Sequence, residues 1–396
     1  MSFSRDLNGA ALWAGITTFL WFASGMVPLQ IAVSAQLGLS ASQSSSAIFI
    51  VWFSAALSSI VLSLSYRQPL PITWTIPGLL YLGTLGSQFS FPELVGANLI
   101  AGCLIVVLGL FGMGEQVMRW LPLPIVMGMF AGSILDYIIR MVKATVQDFW
   151  VAGPAVIGYL LGRAINRPGV PPMGAAVICG ALAIFFGPPS APMAVSWTLP
   201  ALVIPEMHFS LKAIIAVSLP LVVLSMVLGN VQGLGFVLAQ GYRVPVKPVT
   251  LLVGIGSVVN ALLGGYPAIV GRTAVAILAA PDAGPLSGRY TGSIVAAALT
   301  VALALAAGPL TSLLALLPRA YIVTLAGLAI FSSLQEACEK AFGGKLKFGS
   351  LVALAVAATP FAFMGINSAF WALIAGFVAS LLIERGELVD HWREQR

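Results

Sequence analysis

The chain has 396 residues, of which 59% are hydrophobic and only 8% charged. Soluble globular domains carry about 25% charged residues, so this composition excludes them and points to a chain that crosses a lipid bilayer many times. The net charge of +6 and a pI near 9.4 do not make a nucleic-acid surface, because the basic residues stand singly at the ends of apolar runs.

Apolar spans bounded by Pro, Gly or charge run over 10–36, 43–65, 72–86, 93–112, 120–138, 144–162, 171–187, 211–240, 248–263, 272–282, 290–307, 310–333, 349–365 and 368–384. The first is too long for a signal-peptide core and is expected to stay in the mature protein. The spans at 72–86 and 272–282 are distinctly short, and both follow a breaker-rich entry: Gln68-Pro69-Leu70-Pro71 and Gly264-Gly265-Tyr266-Pro267. Each is third in a set of seven. The fifth spans also echo one another, Leu121-Pro122-Leu123-Pro124 against Leu317-Pro318-Arg319-Ala320. These matches predict an all-α membrane protein of fourteen spans, built as two repeats over 1–190 and 208–385.

An odd number of crossings per repeat inverts the second copy. With the N-terminus in the cytoplasm, fourteen of the 19 Lys and Arg fall inside. Arg140, Lys143 and Lys212 fall outside, and Arg272 and Arg319 lie within spans. That asymmetry predicts an inner-membrane protein with both termini cytoplasmic. The linker 188–210 has no Lys or Arg and suits an external connection.

Broken helices in matching positions of inverted halves mark a transporter's substrate site. Arg272 sits in apolar sequence with no acidic neighbour closer than Asp282. About ten helix-forming residues follow it before Pro281, roughly 15 Å or half a bilayer. A half-helix starting inside the membrane, with an arginine at its positive end, attracts anions. The site expected is Gly271, Arg272 and Thr273 on one side and Thr73, Trp74 and Thr75 on the other. Asn230 and Gln232, flanked by Gly229 and Gly233, join it from the eighth span, and Tyr266 and Gln30 complete it. The glycines are expected to let ligand and backbone approach. Gln30 is equally compatible with a bond to another buried amide, and Trp74 with simple packing. With no carboxylate in view, the substrate anion is the expected counter-charge of Arg272.

Asp282, Glu93, Glu115, Asp136 and Glu336 all read as span ends, and His208 and His391 as loop and tail, so intramembrane catalysis is not expected. Cys103, Cys179 and Cys338 show no metal-ligand spacing and read as small buried fillers. No cofactor or metal is called for. Convergence of the broken helices on one compact site, without a ring of charges, favours a transporter over a channel.

Three segments carry a resemblance. Tyr66-Arg67-Gln68-Pro69 leading into Trp74-Thr75-Ile76-Pro77-Gly78, Gly158-Tyr159-Leu160-Leu161-Gly162-Arg163, and Ser218-Leu219-Pro220-Leu221 are similar to the bacterial benzoate/proton symporter family. The resemblance implies the seven-plus-seven fold shared with uracil/xanthine and sulfate permeases. It implies a core domain (10–112 plus 211–307) that moves like an elevator against a gate domain (120–187 plus 310–384). The tenth span departs from the family pattern: Tyr266-Pro267-Ala268-Ile269 and then Arg272 is more similar to sulfate-permease relatives.

The expected function is secondary transport of a small organic anion, an aromatic carboxylate such as benzoate. Arg272 would hold the carboxylate, Trp74 and Tyr266 the ring, and Asn230 and Gln232 the orientation. An inorganic-anion or nucleobase permease of the same fold is the alternative. The acidic residues that the nucleobase permeases use are here Asn230 and Arg272. Protons as the coupling ion come from the resemblance alone, and the residues leave exchange, uniport and a homodimer open.

Overall fold

A computed structural model describes residues 6–112, 122–165, 172–186, 198–315, 317–363 and 366–394; Arg5, Glu115, Leu121 and residues 188–197 of the inter-repeat linker lie outside them. Helix α1 (Gly9–Trp21) is capped by the Asn8 side chain and runs through a π segment (Phe22–Met26) into α2 (Val27–Gln36). Pro28 has no N–H to donate, and its ring would crowd a regular preceding turn; the wider π turn before it relieves that conflict. Helix α3 (Ala41–Tyr66) opens with a capping box between Ser40 and Gln43 and stops at Arg67, whose φ of 50° is left-handed. Strand β1 (Ile72–Trp74) and the short helix α4 (Ile76–Leu85) follow, then α5 (Phe91–Phe111).

Helix α6 (Leu123–Gln147) starts where Pro122 and Pro124 fix the first turn, and α7 (Phe149–Ile165) and α8 (Pro172–Phe185) come next. The expected eighth span is helical over 211–239 but alternates in pitch. It runs through α9 (Leu211–Ala213), a π segment (Ile214–Ser218), α10 (Leu219–Val223), a second π segment (Leu224–Val231) and α11 (Gln232–Ala239). Pro220 follows the first π segment as Pro28 follows its own. Helix α12 (Val246–Leu262) leads to strand β2 (Ala268–Val270) and the seven-residue helix α13 (Arg272–Leu278). After α14 (Arg289–Leu305), the expected span 310–333 is two helices, α15 (Ala307–Ala315) and α16 (Arg319–Phe342). Pro318 caps α16, which runs on to Phe342, so Glu336 lies inside that helix rather than at a span end. Helix α17 (Lys347–Ala358), a two-residue hairpin (Ala362–Phe363 with Ile366–Asn367), α18 (Ser368–Ile383) and α19 (Arg385–Glu394) close the chain.

Among the described residues, helices α3, α5, α6 and α16 are each long and apolar enough to cross a membrane, and nine more apolar helices are shorter. Helix α14 lies on α1 and α3, and α12 on α5; α6 is flanked by α16 and α17, with α7 on α8 and α17 on α18, and α16 also meets α2. Lipid tails are as apolar as leucine, so association inside a bilayer relies on close backbone approach. On α5 and α12, Gly102, Gly109 and Gly254 provide it: a Cβ at Gly254 would stand 2.6 Å from the Val106 nitrogen. The cysteines are not enclosed fillers: Cys103 is exposed and Cys179 and Cys338 are half-buried. An apolar residue on a membrane helix can face lipid as readily as protein.

Candidate functional site

The two short helices meet through the strands that introduce them. β1 and β2 pair antiparallel, with Ile72 opposite Val270, Thr73 opposite Ile269 and Trp74 opposite Ala268. Further backbone bonds extend the pairing: Gly271 N–H donates to Pro71 at 2.9 Å, and Thr75 N–H to Pro267 at 2.9 Å. Extended backbone inside a membrane protein must find every partner within the chain. Helix side chains supply the rest. Ser59 accepts from Ile72 N–H (2.7 Å), Ser257 from Ala268 N–H (2.9 Å) and Asn230 from Val270 N–H (3.0 Å). Asn260 and Asn98 donate to the carbonyls of Tyr266 and Gly265.

Gly229 and Gly233 serve this scaffold. A Cβ on Gly229 would lie 2.5 Å from Ile269 Cγ2, and one on Gly233 2.6 Å from Val270 Cγ1. The glycines thus admit strand β2, where ligand access had been expected. Thr75 caps α4 through Gly78 N–H at 3.1 Å and is fully buried.

A cavity of about 70 Å³, several times what one water needs, opens beside the paired strands. Of the expected residues it brings together Thr73, Trp74, Gly271, Arg272 and Thr273; Trp21, Met26, Phe130 and Glu336 also line it. Thr73 Oγ1 and Trp74 Nε1 are buried without a hydrogen-bond partner. Such atoms in a native structure call for an explanation, and an absent ligand is one.

The remaining expected residues stand back from it. Tyr266 packs edge-on behind Trp74, ring centroids 5.8 Å apart, and Trp52 lies on Trp74 at 5.8 Å. Gln30 accepts from Trp52 Nε1 at 2.7 Å, and Asn230 is spent on β2. Gln232 reaches the site through Arg272, whose guanidinium donates to its Oε1 at 2.7 Å.

Arg272 is not unpartnered. It forms an ion pair with Glu336 of α16, and Lys340, one turn further on, pairs with the same Oε1 at 2.5 Å. Arg272 and Glu336 keep 31% and 24% of their side-chain surface, and both also line a second, more open cavity with Phe236, Ala239 and Lys340. Two cations share one carboxylate, so the cluster carries a net positive charge at the mouth of an apolar cavity. Glu336 was missed because Glu336, Glu339 and Lys340 read as a water boundary. The i, i+4 spacing of Glu336 and Lys340 was the available signal, since a neutralised pair can lie within a membrane helix.

This is the fold of a polytopic membrane transporter. The transmembrane domain of a cyanobacterial bicarbonate transporter, BicA, superposes with a TM-score of 0.62 at 16% identity, covering 95% of this chain and 98% of that one. The murine Slc26a9 anion transporter, in its inward-facing state, gives 0.61 at 14% identity over 95% of this chain and 68% of that one. The chain belongs to the benzoate membrane transport protein family, whose model matches residues 5–382. It is 27% identical to the inner membrane protein YdcO of Escherichia coli strain K12 over 377 residues, 94% of this chain and 95% of that one. The benzoate membrane transport protein of Acinetobacter baylyi is 24% identical over 383 residues, 96% of each chain. Membership makes the chain a multi-pass membrane transporter of anions rather than an enzyme.

Proposed function

We propose that the chain is a secondary active transporter of a small organic anion, an aromatic carboxylate such as benzoate, in the bacterial inner membrane. The observation that carries this reading is a net positive cluster beside buried, unpartnered donors at an apolar cavity: Arg272 with Trp74 Nε1 and Thr73 Oγ1. A carboxylate stripped of water needs charged and directional donors, and a guanidinium supplies both. Trp74, Trp21 and Phe130 offer ring faces to an aromatic body. The relative named for benzoate transport supports the substrate class.

Fourteen spans in two inverted repeats, with both termini cytoplasmic, accord with the basic residues' asymmetry and with the antiparallel meeting of the two half-helix entries. This reading divides the helices into a core group and a gate group that move against each other as an elevator, and the packing of α14 on α1 and α3 and of α6 on α16 and α17 supports it. Arg272 and Trp74 would ride on the moving group, with Glu336 and Phe130 on the fixed one. Protons are the coupling ion in this reading.

An inorganic anion is the second reading, and the small volume of the cavity favours it. A thermal-shift panel on the purified protein separates them, since a bound ligand stabilises the folded state. Benzoates should raise the melting temperature while sulfate, bicarbonate and uracil leave it unchanged. Stabilisation by inorganic anions alone would overturn the aromatic carboxylate.

A further inference from the structure

The pair Arg272–Glu336 joins residues that belong to different helix groups, and it occupies the guanidinium that a substrate anion would need. We propose that Glu336 is the proton-binding residue of the transport cycle: an internal carboxylate that the substrate displaces, and that takes up a proton as it is displaced. The inference rests on the anion-carrier reading and adds to it the group that links proton to anion.

With the cavity empty, Arg272 and Lys340 share the single carboxylate of Glu336. A carboxylate entering beside Trp74 meets that carboxylate at the same guanidinium, and two like charges a few ångström apart disfavour each other's ionised form. If Glu336 gains a proton from solvent, through the open cavity it shares with Lys340, an O–H bond forms on its carboxyl oxygen. The guanidinium then passes to the substrate. The cluster gains one negative and one positive charge and keeps its net value, so no extra uncompensated charge is buried. The buried donors Trp74 Nε1 and Thr73 Oγ1 give the arriving anion further partners.

The surrounding charges leave this role to Glu336. On its own helix, Glu339 accepts from Gln335 at 2.8 Å. From α7, Arg163 is engaged by Gln335 at 2.9 Å and by Ser332 at 3.4 Å. On α6, Asp136 and Arg140 pair with each other at 2.6 Å, and they and Lys143 follow Met127 and Phe130 by six residues or more, about 9 Å along the helix. α17 brings Lys347 at its first residue, and α2 and α8 carry no charged residue. Among the described residues lining the cavity, Glu336 is the one carboxylate. Pairing across the two groups also gives it a mechanical consequence, since protonation loosens a contact that holds one group to the other.

The test measures radiolabelled benzoate binding across the acid-to-neutral range for wild type and Glu336→Gln, together with proton uptake on binding in weak buffer. Wild type should take up one proton per benzoate where Glu336 is ionised, and its affinity should fall about tenfold per pH unit there. Glu336→Gln should bind with a flat pH profile and no proton uptake. In proteoliposomes it should exchange benzoate without accumulating it against a pH gradient. A Glu336→Gln protein that keeps the wild-type slope, or still accumulates benzoate from a pH gradient, overturns the proposal. If that variant does not fold, wild type decides alone, and benzoate binding without proton uptake overturns it. A wild type that binds no benzoate at any pH would instead sink the carrier reading on which this rests.

Discussion

The side-chain oxygen of Asn230 accepts the backbone N–H of Val270 at 3.0 Å, tying the π segment Leu224–Val231 to the strand that introduces Arg272. Asn230 is 1% exposed, and no other acceptor for that N–H is available in the β1–β2 ladder. Its work is therefore to hold the site's frame. Asn230→Leu should lower stability by about 1–3 kcal/mol, the cost of stranding a buried donor. Thermal unfolding without any ligand is the measurement. A variant as stable as wild type but deficient in binding would make Asn230 a ligand contact after all.

Gly229 and Gly233 make a paired prediction with a built-in control. Alanine at either would push a methyl into Ile269 or Val270 and should cost about 1–3 kcal/mol by overpacking. Gly235, on the same helix, has nothing within 4 Å of its would-be Cβ. Gly235→Ala should be neutral or stabilise by up to about 1 kcal/mol through helix propensity. Equal effects at all three positions, read by thermal unfolding, would contradict the close approach of β2.

Trp74→Phe retains a ring while deleting the partnerless indole N–H. Stability should hold or fall only slightly, because the void left by the smaller ring is offset by removal of a buried donor without an acceptor. If that donor serves the anion, benzoate affinity should fall by about 0.5–1.5 kcal/mol, the worth of a typical hydrogen bond. Unchanged affinity would place the carboxylate elsewhere.

Arg272→Ala should abolish benzoate binding, a loss of about 2–5 kcal/mol as for one member of a buried charge pair. It should leave the fold in place, because Lys340 still accompanies Glu336. Arg272→Lys should recover part of the binding, having the charge without the forked donors. A protein that unfolds on either change would make the arginine structural.

Much of this frame is legible in the sequence, and the illegible parts share a cause. Pro and Gly before Thr73 and before Arg272 announce helices that start late, and α4 and α13 follow those entries. The three-residue strands between breaker and helix are too short and too uniformly apolar for a period-two pattern to show. The serines and asparagines that satisfy them, Ser59, Ser257, Asn260 and Asn98, look like ordinary polar residues of membrane helices until the strands are placed. The π segments are likewise silent: the two before Pro28 and Pro220 are backbone responses that leave composition unchanged, and the third, Leu224–Val231, precedes no nearby proline. At the site, Arg272 is conspicuous because it stands alone in sequence. Glu336 is hidden because it stands among charges, and its partner lies 64 residues away.

In the proposed function, Arg272 and the cavity beside Trp74 carry an aromatic carboxylate across the membrane. Uptake of radiolabelled benzoate by proteoliposomes holding the purified protein, with an inward proton gradient, tests it most directly when wild type and Arg272→Ala are run side by side. Wild type should accumulate benzoate, unlabelled benzoate should compete while sulfate, bicarbonate and uracil do not, and Arg272→Ala should take up no more than empty liposomes. Accumulation by Arg272→Ala at the wild-type rate, or competition by the inorganic anions as strong as by benzoate, would contradict the account.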